Sequence, residues 1–198
     1  MDEGDALRDI EDIHRVLAGD KGAFRPLVER YADRVLAFCR SRRLEEEEAA
    51  DISQEVFLRA FRSLRSFRIG ESFPAWLIAI AANRVRTRGT KRGNDERKIA
   101  AIGAETGSGA APDSSIEVEK KLEAEAIRAS VAKLPGDQRN VVELYYFAEL
   151  PVADVARILG LGEEAVKSRL FRARKKLRSL LGGDEGEQPS EAGGGNTR

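Results

Sequence analysis

Between residues 163 and 178 the chain reads EEAVKSRLFRARKKLR. Lys167, Arg169, Arg172, Arg174, Lys175, Lys176 and Arg178 place seven positive charges there with no acid between them. Val166, Leu170, Ala173 and Leu177 recur at helical spacing and form one apolar stripe. Such a helix packs one face on a partner and offers cations to phosphates and base edges on the other. A second acid-free run holds Arg84, Arg86, Arg88, Lys91 and Arg92. Two segregated basic patches imply two anionic contact zones. The chemistry is therefore nucleic-acid binding, with no sign of catalysis. The sequence has no phosphate loop, no metal-ligand cluster and no nucleophile–base pair, so no enzyme activity, metal or cofactor is expected.

The elements that must position these cations read as helices throughout. Val152, Val155, Ala156 and Leu159 predict a helix, with Pro151 suited to its first position. Gly160-Leu161-Gly162 then predicts a tight turn in which Gly160 takes φ > 0, so the second basic helix follows as in a helix-turn-helix. Upstream, Ile10, Ile13, Val16 and Leu17 predict a first helix ended by Gly19. Helices are expected over residues 24–43, 46–64 and about 73–88, with a loop at 65–72. Residues 94–115 are poor in large apolar side chains and read as a flexible linker. A second helical block covers 116–181. The Gly- and acid-rich stretch 182–198 reads as a disordered tail. The fold class expected is all-α, with two small helical domains at 1–93 and 116–181.

The bulk numbers agree with binding to a chosen partner more than with general stickiness. Among 198 residues, 34 are Lys or Arg and 34 are Asp or Glu. The acids sit away from the basic runs: Asp2 to Asp12, Glu45 to Glu48, and the tail. They should weaken non-specific adhesion. Cys39 is the single cysteine, inside the apolar run VLAFC, and reads as a packed thiol. His14 is the single histidine, which excludes a His-rich metal site. The acidic N-terminus lacks a long apolar run, so no signal peptide is expected. The run from Ala75 to Ala82 is too short to span a bilayer. A cytoplasmic protein without membrane insertion is expected.

Two further motifs add to the C-terminal helices. DISQEVFLRAF puts Asp51, Gln54, Glu55 and Leu58 near one another at i, i+3, i+4 and i+7. FPAWLIAIAANRVRTRGTKR joins an apolar helix to the first basic run. In this order and spacing the chain resembles bacterial extracytoplasmic-function sigma factors of the two-domain type. DISQEVFLRAF is similar to their region 2.2, and FPAWLIAIAANRVRTRGTKR to regions 2.3 and 2.4. LPGDQR followed by VVELYYFAELPVADVARILGLGEEAVKSRLFRARKKLR is similar to region 4, and GDKGAF to the usual opening. The resemblance spans about residues 10–181 apart from the linker. Two positions depart from the pattern. Thr87 stands where many members carry Asp, and Gly162 stands where Ser or Thr would cap the helix better.

The resemblance implies binding to core RNA polymerase and direction of that enzyme to a promoter. It implies docking of the DISQEVF helix on a coiled coil of the polymerase largest subunit, through Asp51, Gln54, Glu55 and Leu58. It implies that Phe67, Ile80 and Asn83 form a pocket for a flipped base of the upstream melted element. Arg84, Arg86, Arg88, Lys91 and Arg92 would hold phosphates nearby. Asn83, taken as helix-terminal, could instead cap backbone carbonyls. At the distal promoter element Lys167, Ser168, Phe171 and Arg172 are the expected readers, with Arg169 and Arg174 on phosphates. Glu163 and Glu164 suit a helix N-terminus as well as they suit base contact. Family practice adds an anti-sigma factor as a candidate partner. A helix-turn-helix regulator that binds DNA without polymerase is the alternative; it leaves the second basic patch behind DISQEVF unexplained. An RNA-binding protein is a third, but the aromatic β-sheet motifs of common RNA modules are missing.

Overall fold

In a computed structural model of the chain, residues 3–42, 44–99 and 115–181 are described. All regular structure among them is helical. The first unit contains α1 (Glu3–Leu17), α2 (Phe24–Arg40), α3 (Glu46–Ser63) and α4 (Phe73–Ile99). Gly19, at φ +110°, ends the first helix as its type suggests. Leu27, Val35 and Phe38 on α2 meet Ile52, Val56 and Ala60 on α3 and Leu77, Ile78 and Ala81 on α4. Each is no more than 2 % exposed. Their i, i+3, i+4 spacing puts each set on one helix face, so burying that face closes the bundle. Cys39 lies in this core, and burial pushes its thiol up to about 12.

α1 is held by polar groups as well as by Ile13. The Tyr31 hydroxyl donates to Asp9 at 2.5 Å. Arg30 donates to Asp9 and, at 3.2 Å, to Asp12. Burial raises the Asp9 carboxyl above its ordinary range, although the Tyr31 and Arg30 hydrogen bonds pull the other way.

Two helix ends differ from the sequence reading. α2 stops at Arg40, short of residue 43, and the Ser41 hydroxyl donates to the Phe38 carbonyl at 2.7 Å there. α4 continues to Ile99 instead of ending near Arg88. Gly89 and Gly93 each cost a helix only about 1 kcal/mol relative to Ala, and no proline follows Pro74 in this helix. Asn83 therefore sits inside a helix, so capping of a helix end is not its role. The expected linker lies outside the described residues from 100 to 114, as does the tail from 182 onward.

The second unit contains α5 (Ser115–Ala132), α6 (Gly136–Val142), a π-helical turn (Glu143–Phe147), α7 (Val152–Leu159) and α8 (Glu163–Leu180). The π turn closes with the Ala148 N–H donating to the Glu143 carbonyl, five residues back, at 3.0 Å. Val141, Leu144, Leu150, Val155, Val166 and Leu170 form its apolar centre.

The two units meet along a charged seam. Arg34 on α2 pairs with Glu149 at 3.0 Å, and Arg157 on α7 approaches Glu71 at 3.7 Å. Deepest in the seam, Arg42 donates to Asn140 at 3.1 Å and sits 2.8 Å from the Glu143 carboxylate. Glu143 is 1 % exposed. Its Oε2 and the Arg42 Nε lack hydrogen-bond partners within the protein, so the Arg42–Glu143 contact is one of charge without hydrogen-bond geometry.

Burial raises the Glu143 carboxyl to about 7 from its ordinary 4.5, against the opposing pull of Arg42 and Arg139. Between these two values the folded chain keeps a proton that the unfolded chain releases. Stability therefore falls as pH rises from about 4.5 through about 7. Glu143→Gln should remove a pH-dependent loss of roughly 1–3 kcal/mol over that window. Urea midpoints of the two proteins between pH 5 and 8 check this. Parallel slopes in both would contradict it.

Candidate nucleic-acid interface and docking face

Gly160 makes the turn between α7 and α8. It is left-handed, with φ +64° and ψ 38°. Its N–H approaches the Arg157 carbonyl at 3.4 Å, and the Leu161 N–H donates to the Ala156 carbonyl at 2.9 Å. This closing pattern satisfies carbonyls that the end of α7 would leave free. A Cβ at Gly160 would meet nothing within 4 Å, so the cost of a side chain there is one of backbone alone. Gly160→Ala should destabilise the chain by about 1–2 kcal/mol, and Gly160→Asn by less. Chemical denaturation checks the order; equal stability of Ala and Gly variants would refute the argument. Pro151 precedes the first helical residue, one position before its predicted place, and Gly162 is the N-cap of α8 with no side-chain bond.

α8 buries Val166, Leu170 and Ala173 against α6 and α7, which are the inward positions its periodicity predicts. That packing turns Lys167, Ser168, Phe171, Arg172 and Arg174 outward. Phe171 is 69 % exposed, on the same outward surface that carries Lys167, Ser168 and Arg172. Arg172 donates to the Ser168 hydroxyl at 3.3 Å, so these two neighbours share one surface. Lys167 pairs with Glu164 at 2.7 Å, a bond that raises the Lys167 ammonium above its ordinary range. Glu163 and Glu164 lie in the first turn, where the helix dipole favours them. Arg169 leans to Asp137 on α6 at 3.7 Å. Arg174 donates to the Tyr146 hydroxyl at 2.6 Å and lies 5.7 Å from its ring centre. Tyr146 was not singled out by spacing; its only sequence signal is a second tyrosine in the run ELYYF.

On α3, Asp51 and Gln54 are exposed and Leu58 is 53 % exposed. Beside them an apolar groove of about 610 Å³ runs between α2 and α3. Phe24, Val28, Leu36, Phe57 and Phe61 line it, with Gln54 and Leu58 at its edge. Val28 and Leu36 lie off the core stripe of α2, a mismatch that could have marked this groove in the sequence. Glu55 is half-buried and forms an ion pair with Arg84 on α4.

On α4, Trp76, Ile80, Asn83 and Thr87 follow one another at i, i+4, i+7 and i+11, on one face. The Asn83 side-chain oxygen accepts from Arg86 at 2.9 Å, and its carbonyl accepts from Thr87 at 2.9 Å. Ile80 is half-buried. Phe67, 7 % exposed, sets its ring 5.4 Å from that of Trp76 and 5.5 Å from that of Phe73. Phe67 thus joins the stripe through Trp76. A cavity of about 570 Å³ lies beside it, walled by Gly70, Glu71, Ser72 and Phe73, and across the seam by Pro151, Asp154 and Arg157. Arg88 pairs with Glu48 on α3 at 3.0 Å. Lys91 and Arg92 fall in the later turns of α4, with side chains outside the described residues. No helix among the described residues is long and apolar enough to cross a membrane, and no group of three or more metal-ligating side chains is present among them.

Comparison with known proteins fits this division. The family model of sigma-70 region 2 matches residues 27–94, and that of sigma-70 region 4 matches residues 124–177. The chain is similar to the ECF RNA polymerase sigma factor SigW of Bacillus subtilis, 32 % identical over 85 % of this chain and 94 % of that protein. It is also 32 % identical to the ECF RNA polymerase sigma-E factor of Escherichia coli, over 83 % of this chain and 90 % of that one. Among solved structures, CnrH in complex with the cytosolic domain of CnrY aligns with a TM-score of 0.66 at 25 % identity, covering 92 % of this chain and 99 % of that one. The sigma factor RpoE of Bartonella quintana, solved with the anti-sigma factor NepR, aligns at 0.64 and 25 % identity over 81 % of this chain and 98 % of that one. With both regions matched in order along a helical bundle and a helix-turn-helix, the chain belongs to the sigma-70 family, among the extracytoplasmic-function RNA polymerase sigma factors.

Proposed function

We propose that the chain docks on core RNA polymerase through α3, holds the melted upstream promoter element at the α4 side, and reads the distal element with α8. The observation that carries this reading is a division of surfaces. One unit presents Asp51, Gln54 and Leu58 beside an apolar groove; the other buries the stripe of α8 and turns its cations and Phe171 outward. Residues 1–93 would act as the polymerase and melted-strand unit, and 116–181 as the duplex-reading unit. Carboxylate and amide groups suit a basic partner surface, here the largest-subunit coiled coil. The cavity of about 570 Å³ is lined by Phe67 but not by Ile80 or Asn83, so the base-holding surface proposed here is the α4 stripe of Ile80 and Asn83, which reaches Phe67 through Trp76. An anti-sigma factor is a candidate partner, since a relative was solved with one. The chain acts in the cytoplasm and contributes binding, not bond-breaking.

Residues 116–181 carry their own apolar centre and should bind duplex DNA alone, weakly and with strong salt dependence. If about four to six cations meet phosphates, log affinity should fall against log salt with a slope of roughly −4 to −5. Arg172→Ala should cost about 1–3 kcal/mol and relax sequence preference if it reads a base edge. Titrations of selected and scrambled duplexes measure both. A uniform loss on every sequence would make Arg172 a phosphate contact instead.

A further inference from the structure

Two of the cations expected on DNA point to α3. Arg84 pairs with Glu55, and Arg88 pairs with Glu48 at 3.0 Å. Along α4 the partner number rises from 84 to 88, while along α3 it falls from 55 to 48. The two bridges therefore form an antiparallel ladder between packed helices. At about 100° per residue, Arg84 and Arg88 share one side of α4, whereas Asn83 and Arg86 share another. Each bridge joins one shielded and one open partner: Glu48 is 17 % and Arg88 51 % exposed, and Arg84 is 25 % and Glu55 43 % exposed. Pairs with one partner so shielded are screened somewhat less than fully open surface pairs. The Arg84 Nε is buried without a hydrogen-bond partner, so Glu55 holds that guanidinium by its outer end. Its loss would leave a half-buried charge to find another position.

We infer that Glu48 and Glu55 are positioning residues, which fix the promoter-facing part of α4 on the docking helix α3 through Arg88 and Arg84. This rests on the reading that α3 meets polymerase and α4 meets opened DNA. The docking helix and the base-holding stripe then move as one body. Placement of α3 on polymerase sets the position of Asn83. Arg86, which donates to the Asn83 side chain at 2.9 Å, lies on the Asn83 side of α4.

The test uses the full chain with core polymerase and compares Glu48→Arg, Arg88→Glu and the two together, with Glu55→Arg, Arg84→Glu and their combination as a second set. Polymerase affinity is measured by fluorescence titration, and strand opening by permanganate reactivity at saturating polymerase. Glu48→Arg should keep polymerase affinity within about twofold and lower opening roughly fivefold, the scale of a partly buried pair. Each combined swap should recover most of the opening that its single variants lose. A direct phosphate contact by Arg84 or Arg88 forbids such recovery, so swaps no better than their worse single variant would overturn the inference. Thermal melting of the free variants supplies a readout that needs neither polymerase nor promoter. Single variants should melt below wild type and swaps should regain the loss; additive losses there would overturn the ladder even if the wild type opened no promoter. A wild type that opens none, with swaps that do regain stability, would instead count against the polymerase reading.

Discussion

The double variant Asp51→Arg, Gln54→Ala loses co-elution with core RNA polymerase while its circular dichroism stays helical. Both side chains are exposed on the outer face of α3, and neither makes a hydrogen bond or ion pair among the described residues, so their replacement leaves the bundle intact. Docking would desolvate them against a basic surface. A reversed charge there costs several kcal/mol by like-charge juxtaposition, which exceeds a hundredfold in affinity. The groove between α2 and α3 supplies the apolar part of the contact, with Leu58 at its edge. Leu58→Ala should therefore weaken co-elution without abolishing it. Undiminished co-elution of a folded double variant would remove α3 from the polymerase contact.

Asn83→Ala blocks strand opening but leaves polymerase binding unchanged. Asn83 is exposed on α4, and among the described residues its side chain bonds Arg86, so the substitution removes an amide from the stripe without loss of core. Phe67 needs more care, because its ring packs on Phe73 and Trp76. Phe67→Ala should lower both stability and opening; Phe67→Leu keeps most of the volume and loses the stacking face. Stacking of one base on an aromatic is worth about 1–3 kcal/mol, enough to lower open-complex yield roughly tenfold or more. A promoter with a pre-melted bubble should not fully rescue either site, since the pocket also holds the opened strand. Normal opening by Asn83→Ala and Phe67→Leu would sink the pocket assignment.

Local features of this fold were legible in the residues. Helical spacing placed Val166 and Leu170 inward, an apolar run placed Cys39 in the core, and Gly160 takes the left-handed conformation its turn requires. Each depends on a few neighbouring residues, which is the range over which periodicity speaks. Pairings between distant segments were not legible. Glu55 and Arg84 read as members of two different surfaces, Glu55 on one helix face with Asp51, Gln54 and Leu58 and Arg84 in an acid-free basic run; only packing of α3 on α4 turns them to one another. Glu143 is a lone acid in VVELYYF, a hint of burial that does not name Arg42, about a hundred residues earlier, as its partner. The end of α4 was misplaced because Gly89 and Gly93 lower helix stability without forbidding it. Tyr146 reaches Arg174 by way of the π turn, and a π turn has no periodic signature.

Permanganate footprinting of a promoter selected with this chain plus core polymerase tests the central claim most directly. The account predicts a short patch of reactive thymines at the upstream melted element when both proteins are present. It predicts none with either protein alone, and a patch lost on Asp51→Arg, Gln54→Ala. Tight, sequence-specific duplex binding by the chain alone, with no association with polymerase and no reactive thymines on any selected promoter, would contradict it.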